Sequence, residues 1–277
     1  MSTKYNLAVC QLKVSVDKAD NIARAEKMVR EAAALGARIV ALPEMFNSPY
    51  QTVLFPAYAE SYPDGDTVRM LARVANEAGI ILVGGSIPER DGEFVYNTSF
   101  IFGPDGRLLG RHRKMHLFDV DLPGLSIKES STLGPGAGYT VVDAGFAKIG
   151  VCICFDVRFP ELARLMALGG IQVMVVPGAF NMVTGPAHWE LTMRARAVDN
   201  QFYVAAASPA RDENDKYVAY GHSMIVDPWG EVVQRAGTDE EIIMAEIDPA
   251  RIDEVTSRLP LLPQRRTDLY QLVWKKE

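Results

Sequence analysis

The sequence predicts an α/β fold of two mixed sheets packed face to face, with helices covering their outer faces. Three observations carry this. Apolar, β-branched runs alternate with amphipathic stripes in both halves of the chain. Two turn signals, Gly103-Pro104-Asp105-Gly106 and Asp227-Pro228-Trp229-Gly230, sit between strand-like runs and read as hairpins. Each half supplies its own strand–helix–strand unit, as two sheets require. The chain has 277 residues, 48% of them hydrophobic, which is ample for such a core.

Residues 5–12 alternate around Leu7, Val9 and Leu12 and form the first strand. Residues 20–35 form a helix with Ile22, Ala25, Val29 and Ala32 on one stripe and Gly36 as its stop. A short buried strand over 37–42 runs into Pro43-Glu44, which leaves a carboxylate just beyond a strand end. Residues 45–65, rich in aromatics and proline, form a loop. A second amphipathic helix covers 66–78, and residues 80–87 read as one continuous apolar strand. The first hairpin pairs 94–102 with 107–113 and sets Lys114 at its far end. Residues 115–138 lack periodicity and read as a long surface loop, a kind of segment that usually serves function.

Strands follow at 139–143 and 147–154, the latter stopping on Cys154. A helix over 160–168 opens with Pro160 and carries Glu161 at the positive end of its dipole. A buried strand at 171–176 ends in Pro177-Gly178-Ala179-Phe180-Asn181. A helix at 186–199, a strand at 202–207, the second hairpin (220–226 with 231–235), a last strand at 242–247 and a short helix at 250–257 complete the pattern. Residues 258–277 mix Pro, Arg and aromatics without a helical stripe. They are expected to form an arm over the surface or onto a partner subunit, closing a single domain that spans 1–277.

Composition narrows the function. A net charge of −6 argues against a nucleic-acid partner, and the basic cluster Arg111-His112-Arg113-Lys114 is too short for a footprint. No apolar run reaches the length of a membrane span, and residues 1–13 lack a signal-peptide layout, so no membrane partner is expected. Cys152 and Cys154 are too close in a strand to bridge comfortably, so the three cysteines point to a reducing, cytoplasmic setting. His112, His116, His188 and His222 are scattered without metal-ligand spacing, so neither a metal nor another cofactor is expected.

Three reactive groups fall at strand ends: Glu44, Lys114 and Cys154. Sites in α/β sheets gather there. A thiol needs a base, and a carboxylate in an apolar pocket can serve as one. A lysine ammonium, with the backbone N–H of Phe155, can hold the oxyanion formed on an attacked carbonyl. The same carboxylic acid can protonate a leaving amine and then activate water on the thioester. Cys10 and Cys152 read as small buried hydrophobes, His222 as a structural histidine and His188 as a helix-start packing residue. Arg158 can pair with Glu161 or Asp156, or hold a substrate carboxylate in its fork.

Three segments then resemble the signatures of the nitrilase (carbon–nitrogen hydrolase) superfamily: Leu42-Pro43-Glu44-Met45-Phe46, Arg113-Lys114-Met115-His116-Leu117, and Cys152-Ile153-Cys154-Phe155-Asp156-Val157-Arg158 onward to Leu162. The resemblance spans nearly the whole chain. It implies a four-layer αββα sandwich and a Glu-Lys-Cys triad, with Glu44 as base and acid, Lys114 as oxyanion stabiliser and Cys154 as nucleophile. It assigns Glu129 a supporting role and implies a homodimer paired across the helices near the nucleophile. Finer segments, among them Phe46-Asn47-Ser48-Pro49-Tyr50, Gly178-Ala179-Phe180-Asn181 and Ser208-Pro209-Ala210-Arg211, look like the omega-amidase branch. That implies hydrolysis of 2-oxoglutaramate or 2-oxosuccinamate, with Arg158, Phe180, Thr184 and Tyr50 at the substrate. Phe155 departs from the tyrosine often found after the cysteine, which removes a hydroxyl contact but not the backbone donor. The alternatives are an amidase of deaminated glutathione, an N-carbamoyl amine hydrolase, a nitrile hydrolase on the same nucleophile, and a catalytically idle binding protein.

Overall fold

The structure, a computed structural model, describes residues 3–275; the last two positions of the expected arm, Lys276 and Glu277, lie outside the described residues. Strand β1 (Tyr5–Gln11) leads through α1 (Lys18–Ala34) to β2 (Ala37–Ala41). Asp17 starts α1, accepting hydrogen bonds from the backbone N–H of Ala19 (2.9 Å) and Asp20 (3.2 Å), as an N-cap carboxylate does. After a short helix α2 (Phe55–Tyr58) come α3 (Asp66–Ala78), β3 (Ile81–Val83), β4 (Ile87–Asp91), β5 (Phe94–Phe102) and β6 (Leu108–Arg113). With the late strand β15 (Glu241–Ile247) they build one sheet in the order β15-β1-β2-β3-β5-β4, with β6 also on β5.

The second half repeats the theme. Strands β9 (Thr140–Asp143) and β10 (Lys148–Val151), helix α4 (Pro160–Leu168), strand β11 (Val173–Pro177), helix α5 (Gly185–Asn200) and strands β12 (Tyr203–Ala207), β13 (Met224–Val226) and β14 (Val232–Arg235) follow. The sheet order is β14-β13-β12-β11-β10-β9. Helix α6 (Pro249–Arg258) precedes the tail.

Side-chain alternation decides the layering. In β1, Leu7 and Val9 enter one cluster with Ile149, Val151, Val173 and Val175 of the other sheet. Ala8 and Cys10, pointing the opposite way, pack with Ala25 and Val29 of α1 and Val68 and Leu71 of α3. In the second sheet Met174 and Val176 face Met166 of α4 and Met193 of α5. The result is the expected αββα order. Leu7 and Ile149 are fully buried, so truncating either to Ala costs about 2–5 kcal/mol.

Four sequence readings change. The apolar run 80–87 is two strands, because the chain turns at Gly84-Gly85. Gly85 has φ +56°, and a Cβ there would lie 2.2 Å from the carbonyl oxygen of Pro43, so only glycine fits against the segment that carries Glu44. Residues 115–138 are not a featureless loop: β7 (Asp119–Leu122) and β8 (Leu125–Lys128) form a small hairpin. Its side chains are largely exposed, although Val120, Leu122, Leu125 and Ile127 alternate with polar residues around Pro123-Gly124, a hairpin signal that the loop reading passes over. The 147–154 strand stops at Val151, and Cys154 instead opens a 3-10 turn, Cys154–Arg158. Lastly, 220–223 approach β13 as irregular chain, with His222 at φ +56°.

Candidate active site

Glu44, Lys114 and Cys154 come from three different strand ends and meet at the carboxyl edge of the two sheets. All three are buried. Glu44 follows β2 by three residues. Its Oε1 accepts from Lys114 Nζ at 3.0 Å and Asn97 Nδ2 at 2.9 Å; its Oε2 accepts from the backbone N–H of Ala179 at 2.9 Å. Lys114 follows β6, its N–H bonded to the Asn97 carbonyl at 2.8 Å and its own carbonyl accepting from Gly136 N–H at 2.8 Å. A Cβ on Gly136 would lie 2.1 Å from the Arg113 carbonyl oxygen, so glycine lets this crossing close.

Glu129 completes the charge cluster. Lys114 Nζ donates to its carboxylate at 3.0 and 2.9 Å, Tyr50 OH donates at 2.7 Å, and Phe118 N–H donates to Oε2 at 2.7 Å. Burial raises the Glu44 carboxyl above its ordinary value, Lys114 pulls it back, and Glu129 raises it further. Burial works against the Lys114 charge, but Glu129 and Glu44 outweigh it and hold the ammonium well above the usual lysine range. One buried cation thus stands between two carboxylates with nearly every lone pair engaged.

Cys154 sits at φ +46°, a left-handed conformation that a non-glycine residue adopts at a cost of roughly 1–3 kcal/mol. The turn tips the thiol toward Glu44 and leaves Phe155 N–H among the free donors at the start of a helical turn. Burial lifts the thiol well above the ordinary cysteine value and the Glu44 charge adds to it, while Lys114 opposes. The arrangement can therefore couple proton transfer to Glu44 with attack by the sulfur.

Asp156 anchors this turn. Its Oδ2 accepts from Ile153 N–H (3.1 Å) and faces His112 Nε2 (2.9 Å). Its Oδ1 accepts from the N–H groups of Met115 (3.2 Å) and His116 (2.9 Å) and faces His116 Nδ1 (2.7 Å). Burial opposes the Asp156 charge, but hydrogen bonds from His112 and His116 hold it well below the carboxylate range. One side chain thereby ties the Cys154 turn to the residues just after Lys114.

Arg158 makes no ion pair with Asp156 or Glu161 among the described residues. Its guanidinium lies 4.5 Å from the Phe180 ring centroid, and Nη1 donates to His188 Nδ1 at 3.1 Å. Burial lowers its pKa, with no partnered carboxylate to restore it. Arg158, Phe180, Asn181, Thr184, Phe118 and Tyr217 line the pocket at Cys154. The Asn181 Nδ2 atom is buried there without a partner among the described residues. Tyr50 stands apart: it stacks on Tyr217 (4.4 Å) and donates its hydroxyl to Glu129, one wall removed from this pocket.

His222 lies elsewhere, its carbonyl accepting from Trp189 Nε1 at 2.7 Å. Cys10 and Cys152 are buried, Cys10 pushed up to about 12 by burial and Cys152 raised well above its ordinary value by the same cause. Reasoning from sequence missed Asn97, the Ala179 N–H, Tyr217 and the anchoring by Asp156. Asn97 alone left a signal, as a buried amide inside the apolar strand β5. No helix among the described residues is long and apolar enough to cross a membrane.

Comparison with known proteins agrees with this geometry. The family model for carbon–nitrogen hydrolases matches residues 6–256. The omega-amidase NIT2-A of Xenopus laevis is 56% identical over 274 residues, covering 99% of both chains. The omega-amidase NIT2 of Mus musculus is 55% identical over 277 residues, covering 100% of both. Among solved structures, Saccharomyces cerevisiae Nit3, described as a member of branch 10 of the nitrilase superfamily, superposes with a TM-score of 0.89 at 47% identity, covering 96% of this chain and 98% of its own.

Proposed function

From the premise that this chain belongs to the carbon–nitrogen hydrolase family, in the omega-amidase branch of the nitrilase superfamily, we propose how its residues do the work. It is an amidase. Glu44 takes the Cys154 proton as sulfur attacks the terminal amide carbon of a 2-oxo dicarboxylic acid monoamide. Lys114 Nζ and Phe155 N–H hold the oxyanion. The tetrahedral adduct collapses, Glu44 returns its proton to nitrogen, and ammonia leaves a thioester on Cys154. Water, deprotonated by Glu44, then releases the dicarboxylate and restores the thiol.

Glu129 orients Lys114 and keeps it charged, and Tyr50 fixes Glu129. Arg158 receives the carboxylate at the far end of the substrate, with Phe180 and Thr184 beside it. The observation that carries the substrate class is the half-buried Arg158 guanidinium, without a carboxylate partner among the described residues, on the wall of the nucleophile's pocket. A desolvated cation of this kind is completed by an anionic ligand. This favours short acids with a distal carboxylate, 2-oxoglutaramate and 2-oxosuccinamate, over N-carbamoyl amines, deaminated glutathione or nitriles.

The test is ammonia release from 2-oxoglutaramate, set beside deaminated glutathione, an N-carbamoyl amine and a nitrile. The 2-oxo amide should be the fastest substrate, and Cys154→Ala should abolish its turnover with folding intact. Turnover retained by that variant sinks the mechanism; a preference for another amide sinks only the substrate.

The protein is further read as a cytoplasmic homodimer, one domain with an arm at 258–277. In support, its three cysteines are free, and Leu191 on α5 and Leu269 and Val273 on the tail leave apolar side chains exposed. Light scattering on the purified protein gives its mass directly.

A further inference from the structure

On the mechanism above, the pocket at Cys154 receives a terminal –CONH2, and that group brings two N–H donors with it. Glu44 can meet one. Its Oε1 already accepts from Lys114 and Asn97 and its Oε2 from Ala179 N–H, so three of roughly four acceptor sites on the carboxylate are filled. The second N–H needs another acceptor, because a donor left unmet on burial is costly.

Few side chains on the pocket wall can supply one. Arg158 only donates. Asn181 Oδ1 is occupied by the N–H groups of Val183 and Thr184, both at 2.9 Å. Thr184 Oγ1 lies 3.4 Å from that same oxygen and stands, on the reading above, with Arg158 at the acid end. Tyr217 is left.

Its hydroxyl is oriented by the protein. Tyr217 OH donates its proton to the carbonyl of Ala179, the residue whose own N–H holds Glu44. The ring stacks on Tyr50, with centroids 4.4 Å apart and planes inclined by 25°, and Tyr50 is itself fixed by Glu129. Burial, and then the Cys154 and Glu44 charges, push the hydroxyl well above the ordinary tyrosine range, so it keeps its proton. Asn181 lies near the same oxygen, but its Nδ2 forms no hydrogen bond among the described residues. What Tyr217 Oη offers the pocket is therefore lone pairs.

We propose that Tyr217 recognises the amide as an amide: its Oη accepts the second –CONH2 N–H while Glu44 takes the first, which holds the leaving nitrogen beside Glu44. Tyr217 moves no proton. A nitrile or an ester has no N–H to offer it. The carboxylate that the reaction makes presents oxygen to oxygen there, so the lone pairs that hold the substrate work against the product. Arg158 reads the acid at the far end of the substrate, and Tyr217 reads the group that is cleaved. The inference rests on the Cys154 mechanism above and not on which acid carries the amide.

The test is Tyr217→Phe, which keeps the ring and its stack on Tyr50 and removes the oxygen. Its kcat/KM is compared with wild type on succinamic acid and on succinic acid monomethyl ester, which lacks the N–H groups. The amide should lose ~3–10-fold, as for one hydrogen bond, and the ester less than ~2-fold. Inhibition by succinate should not weaken. Equal losses on amide and ester mean that the hydroxyl acts only through Ala179 and Glu44, and they overturn the proposal, as does an unchanged amide rate or weaker inhibition by succinate. If either compound is cleaved too slowly to follow, binding of both to Cys154→Ala, with and without Tyr217→Phe, gives the same comparison, and succinamic acid alone should bind more weakly. Should Tyr217→Phe fail to fold, Tyr217→Trp replaces it, since its ring N–H can still donate to Ala179 but has no lone pair to give. Turnover retained by Cys154→Ala fails the mechanism and is read separately from the amide–ester split.

Discussion

The two walls of the nucleophile's pocket are finished to different degrees. On one, Glu44, Lys114 and Glu129 satisfy each other and are further bonded by Asn97, Ala179 N–H, Tyr50 and Phe118 N–H. On the other, Arg158 reaches only a histidine and Asn181 Nδ2 reaches nothing among the described residues. On the proposed mechanism the first wall performs the same proton transfers on every substrate, so it can be complete beforehand. On the same reading the second recognises a particular molecule, and its unmet hydrogen bonds are the recognition.

Breaking the finished wall should have the largest effect. Lys114→Ala leaves two carboxylates buried together, and denaturant unfolding should show a loss of about 3–5 kcal/mol. Ammonia release should fall by at least ~100-fold, since an oxyanion donor is gone. Asp156→Asn comes next, at about 2–3 kcal/mol, because it unties the nucleophile's turn from the chain after Lys114. Its pH dependence has a definite sign. The folded carboxyl is depressed, so its stabilisation is complete above the unfolded range near ~3.9 and drains away as pH falls below it. Stability measured from pH 6 down to pH 3 should therefore fall less steeply in the variant.

The unfinished wall should behave in the opposite way. Arg158→Ala should lower kcat/KM for 2-oxo dicarboxylic monoamides by ~10–100-fold, the worth of a charge-assisted hydrogen bond. Its melting temperature should fall only slightly, because no ion pair is lost and only the contacts to His188 and the Phe180 ring go. A large loss of stability would show that Arg158 is structural and would erase the contrast between the walls. The smallest effect belongs to Asn181→Asp. That change keeps the oxygen that accepts from Val183 and Thr184 N–H, both at 2.9 Å, and replaces the unpaired donor by a charge. KM should rise by ~3–10-fold, with little change in kcat.

This contrast also governs what the sequence could disclose. Helices at 66–78 and 160–168 were legible to the residue, because an apolar stripe and a proline at the first turn are local signals. The strand run 80–87 misled, since a turn at two glycines between apolar residues leaves the pattern unbroken. The β7–β8 hairpin did leave a signal, Val120, Leu122, Leu125 and Ile127 alternating around Pro123-Gly124, but the proline and glycine read as loop and the four apolar residues are too few to make a core strand. Glu44, Lys114 and Cys154 stood at strand ends, but nothing local says that three distant ends converge; the resemblance of three segments joined them. The turn at Cys154 was read as strand because its β-branched neighbours favour strand, and the pull of Asp156 on Ile153 comes from outside the segment. Asn97 and the Ala179 N–H act through tertiary placement alone.

Glu129 lies just beyond the β7–β8 hairpin, joined back to its start by Phe118 N–H and by Ser130, whose N–H donates to Asp119 at 3.0 Å. The two large sheets are sealed by their common core, but this small hairpin stands outside both. Its side chains are largely exposed, so little apolar contact holds it and it can open on heating before the sandwich does. If it lifts, Lys114 loses one of its two counter-ions while the sandwich is still intact. Catalysis should therefore decay at a lower temperature than circular dichroism or calorimetry registers melting, and cooling should restore it. The upper thermal limit of catalysis is then set by the hairpin at 119–128, seven of whose ten residues are exposed, and not by the core.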